Sequence, residues 1–147
     1  MKNIILVLLC NFIISNDISM VPSFNGDQAF EYIKKQCDFG PRYPGSEGHA
    51  KLADYLYNYF TIYSDSVLTF VDSISHPVDN SRIQIKNFLI KHNPTVEERY
   101  LFLAHWDTRD RADKDPIKDK QSIPILGAND GASGVALLMQ LSTHIKN

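Results

Sequence analysis

RYLFLAHWD, residues 99–107, is the stretch from which the rest of the chain can be read. RYLFLA (99–104) is short and almost wholly apolar, the pattern of a strand buried on both faces. It runs without a turn into His105-Trp106-Asp107. In open α/β sheets, functional residues gather outside the carboxyl ends of the strands. His105 and Asp107 are two apart, so in an extended segment their side chains share a face. A carboxylate beside an imidazole can hold one ring nitrogen and leave the other free for a metal. Taken alone, the pair also fits a strand-end histidine with a local hydrogen bond.

About twenty residues on, GANDGASGVALL (127–138) places Asp130 among Gly127, Ala128, Gly131, Ala132 and Gly134, where an apolar helix begins. A carboxylate at a helix N-terminus is stabilised by the dipole and free N–H groups, by about 0.3–1 kcal/mol. N-capping would account for the aspartate. It does not account for the small residues on either side, which lower helix stability by roughly 1 kcal/mol per interior glycine. Small residues allow a backbone or a ligand to approach closely. Asp130 and His105 are therefore candidate metal ligands.

Outward from these motifs the elements alternate. Helices are expected over 27–37, with Phe30, Ile33 and Lys34 at helical spacing, and over 49–60, with Leu52, Tyr55, Leu56 and Tyr59 on one face. FGPRYPGSEG (39–48) carries two prolines and three glycines and reads as a loop, with Ser46 as the next helix's cap. Residues 66–74 and 83–91 read as strands, Asn93-Pro94-Thr95 as a turn, and 131–145 as a strongly apolar helix. The order implies an α/β fold, a three-layer sandwich with a central mixed β-sheet flanked by helices.

Composition narrows the function. A formal net charge of -2, with 44% hydrophobic and 22% charged residues, describes an ordinary globular domain and gives no footprint for nucleic acid. Lys2, the uncharged IILVLLCNFIIS (4–15) and Asn16-Asp17 have the layout of a signal peptide over residues 1–19. The apolar run is too short for a bilayer of about 30 Å, so no membrane span is expected in the mature chain, and the destination is secreted or periplasmic. Cys10 would be the lipidated residue of a lipoprotein, but bulky Leu9 precedes it. Without the leader, Cys37 is alone and has no partner for an intrachain disulfide.

GPRYPGSEGH (40–49), AHWDTR (104–109) and GANDGASGVALL (127–138), in this order and spacing, resemble the zinc-dependent M28 peptidase family. Within it the chain looks most like glutaminyl cyclases, the glutaminyl-peptide cyclotransferases. RYPGS, the NPT turn and TRDRADKD (108–115) carry that likeness, and NDGASG with Ala104 before the histidine favours the bacterial type. The resemblance covers residue 24 onward and implies a zinc aminopeptidase-like fold, here its N-terminal part over 20–147. It implies Asp130 as a zinc ligand and His105 at the position that binds a second zinc in aminopeptidases. It implies Asp107 as the catalytic-site aspartate that orients this histidine. A pair of glutamates, a tryptophan and a ligand histidine are expected beyond residue 147, and His144 is too near Asp130 to be that ligand. The chain alone is expected not to catalyse.

The implied activity is zinc-dependent conversion of N-terminal glutamine to pyroglutamate, with release of ammonia from peptide or protein N-termini. The alternatives are an M28 aminopeptidase and a truncated, inactive scaffold. One zinc suits the cyclase and two the aminopeptidase. Four side expectations accompany these: His49 faces solvent, His76 and His92 are exposed at loop or strand ends, Trp106 is a packing anchor, and Arg109 borders the site's entrance.

Overall fold

The computed structural model describes residues 22–76 and 79–146, so the expected signal peptide lies outside the described residues. Among the described residues no helix is long and apolar enough to cross a membrane. Helix α1 spans Gly26–Asp38, α2 Glu47–Tyr63 and α3 Ala132–Lys146. Strands β1, Ser66–Ser75, and β2, Arg82–Lys91, pair antiparallel, with Ser66 opposite Lys91 and Ser75 opposite Arg82. A single 3₁₀ turn, Lys118–Lys120, lies in the loop before α3. The α/β class holds, as a two-stranded sheet with flanking helices.

Local chemistry sets the helix starts. Asn25 accepts from the Gln28 N–H at 2.9 Å, and Ser46 Oγ from the His49 N–H at 3.1 Å, each satisfying a donor that the first turn leaves free. Helix α2 then presents His49, Leu52, Ala53, Leu56 and Phe60 at i, i+3, i+4, i+7 and i+11, and all five are buried. Leu52, Leu56, Tyr59, Phe60, Trp106, Val135 and Met139 form the core where α2, α3 and the 104–108 segment meet. The Tyr59 hydroxyl crosses this core to the Met139 carbonyl at 3.0 Å.

Three expectations change. Residues 99–104 are not a buried strand: Tyr100, Leu101, Phe102 and Leu103 are all exposed, Leu103 at 84%. No described strand lies alongside them, and a strand that reads as buried on both faces becomes so only with neighbours on both edges. His49 does not face solvent but stacks on Trp106, ring centroids 4.1 Å apart at 18°. His92 sits at a strand end as expected, yet half-buried, with Nε2 3.0 Å from Ser142 Oγ on α3; His76 is likewise half-buried, near Asp79 and Asp110.

Burial pushes the His49 imidazole below the usual histidine pKa, against the charge of Asp107 and with that of Lys86. Burial does the same to His92, opposed by Asp65 and assisted by Lys146. The unfolded chain, titrating at about 6.5, therefore takes up these protons first as pH falls. The stability held by the neutral rings is complete above that value and is lost as pH drops toward the folded-state pKa values, by up to about 1.4 kcal/mol per pH unit for each ring. Denaturant midpoints should fall between pH 7.5 and 5.5, and His49→Phe, which keeps the stack, should flatten part of that slope.

Candidate metal centre

Two backbone segments converge on the site. One is His105–Thr108, which leaves the core at Trp106; the other is the 127–131 loop leading into α3. Trp106 is buried, and its indole N–H donates to the Lys86 carbonyl on β2 at 3.0 Å. That anchor turns the flanking His105 and Asp107 toward the opposite side. His105 Nε2 lies 2.7 Å from Asp130 Oδ1. On the other edge of the ring, Nδ1 faces the Asp107 carbonyl oxygen at 3.2 Å and its Oδ1 at 3.5 Å. The three predicted residues are thus brought together, and Asp130 sits on the far side of the imidazole from Asp107.

Asp130 does not cap α3; among the described residues its carboxylate bonds the His105 ring, and 80% of its side chain is exposed. Gly131 explains part of the small-residue run. A Cβ there would collide with the His105 carbonyl oxygen and come within 2.8 Å of ring atoms Cε1 and Nε2. Gly127 has φ +62°, a left-handed conformation, and a Cβ on it would also meet Thr108 and Arg42. The glycines are where the loop lies against the His105–Thr108 segment.

Burial weakens the charged imidazole of His105, but hydrogen bonds to Asp130 and the Asp107 carbonyl, with both carboxylate charges, outweigh it and hold its pKa above the usual value. A metal ion held here would take the place of the shared proton. The donor set suits zinc: one imidazole nitrogen whose opposite nitrogen is already bonded, and one carboxylate oxygen. It is also incomplete. Among the described residues no three His, Cys, Asp or Glu side chains form a metal-holding group, and a zinc site uses at least three protein ligands.

A small cleft of about 90 Å³ beside the pair is lined by His105, Asp107, Thr108, Arg109, Ile125 and Asp130. Arg109, paired with Asp113 at 2.5 Å, stands at its edge. Sequence reading missed the residues behind it. Arg42, with no exposed surface, donates through Nη1 to the Gln36 carbonyl at 3.2 Å and through Nη2 to the Gly127 carbonyl at 3.0 Å. Its own N–H donates to Thr108 Oγ1 at 2.8 Å, and Gln36 Nε2 donates to the Ala132 carbonyl at 3.0 Å.

Residues 87–147 match the family model described as Peptidase family M28. That stretch carries the pattern of the M28 peptidase family. No curated protein matches it. Among solved structures it is similar to a leucine aminopeptidase precursor from Bacteroides thetaiotaomicron, with 35% identity and a TM-score of 0.82 over 86% of this chain and 43% of that one. It is similar to the Bacteroides thetaiotaomicron glutaminyl cyclase, with 34% identity and a TM-score of 0.81 over 85% of this chain and 42% of that one. A Zn-dependent exopeptidase from Parabacteroides distasonis gives 33% identity and a TM-score of 0.82 over 86% and 43%. The chain spans less than half the length of each of these relatives.

Two tests follow from the close packing. Gly131→Ala should break the His105–Asp130 contact, read as a change in the His105 ring ¹⁵N shifts. Gly134→Ala, whose Cβ would meet only the Ala104 Cβ at 3.2 Å, should leave those shifts in place. Arg42→Met would strip buried carbonyls of their donors and should cost roughly 2–5 kcal/mol in chemical denaturation.

Proposed function

We propose that this chain carries the His–Asp side of the zinc centre of a glutaminyl-peptide cyclotransferase of bacterial type. The observation that carries the reading is the pair His105 Nε2 and Asp130 Oδ1, 2.7 Å apart, with the opposite ring nitrogen held by Asp107. In this role Asp130 is a zinc ligand, Asp107 fixes the ring, and His105 stands where a second metal would bind. Zinc, when bound, supplies Lewis-acid polarisation of a carbonyl. The remaining ligands and the proton-transferring glutamate belong to the part of the domain that the chain does not span.

The substrate chemistry favours one metal. An N-terminal glutamine carries its own nucleophile: its α-amine attacks its γ-carbonyl, the five-membered lactam closes, and ammonia leaves. The attack is intramolecular, so the entropic cost of bringing the reactants together is largely removed. The peptide's N-terminal residue would enter through the cleft at Arg109 and Ile125. The similarity to a leucine aminopeptidase precursor supports a second reading, in which His105 holds a second zinc about 3.5–4 Å from the first and water is the nucleophile.

The deciding assay uses a full-length zinc-loaded protein containing these residues, offered a glutamine-initiated and a leucine-initiated peptide. The cyclase reading expects ammonia and a pyroglutamyl peptide from the first and no cleavage of the second. Free leucine would establish the aminopeptidase instead. Asp130→Ala should lower kcat/KM by at least about a hundredfold. Arg109→Ala should raise KM severalfold with little change in kcat.

A further inference from the structure

Cys37 is the one free thiol among the described residues. It lies in the last turn of α1 and is half-buried, so a small reagent can reach it. Its carbonyl accepts the Gly40 N–H at 2.9 Å, which turns the chain into the loop that carries Arg42. Arg42 then folds back: Nη1 bonds the carbonyls of Gln36 and Gly40, on either side of Cys37 in the chain. These bonds bring the guanidinium to the sulfur. Burial lowers the Arg42 pKa, and the Cys37 thiol, by charge and by hydrogen bonding, acts against it.

The second observation concerns the arginine and not the sulfur. Arg42 has no exposed surface, Nη1 and Nη2 bond carbonyls, and Nε–H has no well-formed partner among the described residues. An unsatisfied buried donor costs roughly 1–3 kcal/mol, and more on a charged group. A thiol sulfur beside it is only a weak acceptor. An oxygen atom bonded to that sulfur is a strong one, and as an anion it makes a charge-assisted bond about twice as strong as a neutral one.

We propose that Cys37 is a site of reversible oxidation by hydroperoxides, with Arg42 holding the oxidised sulfur and passing the change to the Asp130 loop. The sulfur attacks the terminal peroxide oxygen. The S–H and O–O bonds break, an S–O bond forms, and the other oxygen leaves with the thiol proton, as water or an alcohol. The sulfur is oxidised by two electrons to a sulfenic acid, and the peroxide takes up those two electrons. The guanidinium stabilises negative charge on the transferred oxygen, and Nε–H donates to it. Two equivalents of a small thiol restore Cys37, releasing water and that thiol's disulfide. Nη2 of the same guanidinium bonds the Gly127 carbonyl at 3.0 Å, at the start of the loop that carries Asp130. Turning Nε–H onto the new oxygen therefore moves that fork and the loop tied to it.

The test treats a full-length protein containing these residues with hydrogen peroxide and traps sulfenic acid with dimedone. The tryptic fragment carrying Cys37, residues 36–42 in the unaltered chain, reports this thiol apart from any other. Trapping is expected to be at least about tenfold faster in the folded protein than in urea, and to be lost after thiol reduction. Arg42→Lys keeps a cation without the Nε–H and should slow trapping at least about fivefold. Lys35→Gln removes the neighbouring cation, which lies over the Phe39 ring, and should not slow it. Should Arg42→Lys fail to fold by circular dichroism, the folded-against-urea comparison of the unaltered protein decides. Peroxide should also move the His105 ring ¹⁵N shifts, and should leave them in place in Cys37→Ser. Equal trapping in folded and unfolded protein would overturn the proposal, as would a folded Arg42→Lys protein that reacts at the unaltered rate. Unmoved His105 shifts at complete oxidation would overturn the link to the Asp130 loop. The readout needs neither zinc nor turnover, so it stands or falls separately from the cyclase assay.

Discussion

The guanidinium of Arg42 has no exposed surface, and its contacts reach three separate pieces of chain. Through Nη1 it bonds the carbonyls of Gln36 and Gly40, where α1 ends and the loop begins; through Nη2 it bonds Gly127, at the start of the loop that carries Asp130. Its main chain pairs with Thr108, one residue past Asp107, in both directions. A buried arginine without a facing carboxylate is costly unless its donors are satisfied. Here carbonyl oxygens do most of that, and Nε alone lacks a protein partner. Those carbonyls belong to the end of α1 and to the loop that carries Asp130, so satisfying the charge ties that loop to the Arg42–Thr108 contact beside the site.

Gln36 adds a second tie of the same kind, from α1 to the first residue of α3. Trp106 adds a third, holding the 105–107 segment against β2 and stacking on His49. The site is thus held from behind by buried polar and aromatic contacts, while its front, with Asp130 80% exposed, stays open. That division suits a metal centre. The orientation of His105 and Asp130 is set by contacts behind them, and their open face would remain reachable to an ion.

What could be read from the sequence follows from the range of the forces involved. The three helices and the strands β1 and β2 fall within three residues of their expected bounds, because spacing and caps such as Ser46 are local, whereas 99–104 forms no strand. The His105–Asp107–Asp130 grouping was legible because residue type, strand-end position and flanking glycines all pointed to one place. Arg42 was not, since nothing in GPRYPGS distinguishes a buried guanidinium from an exposed loop residue; its partners are 66 and 85 positions away. His49 was legible and was misread. It stands at i relative to Leu52, Ala53 and Leu56 at i+3, i+4 and i+7, so the apolar face of α2 begins one turn earlier than its aliphatic residues suggest.

Residues 99–104 show a different limit. Their pattern correctly describes a segment suited to burial on both faces, but burial depends on neighbours and the described residues provide none on either edge. His105 nevertheless keeps its place at the end of this uncovered segment. The reason lies in the next residue: Trp106 is fixed by the core and by Lys86, and Gly131 sits directly against the His105 backbone and ring. The position of His105 beside Asp130 is therefore set downstream of the uncovered segment, by contacts to α2, β2 and α3 rather than by sheet pairing.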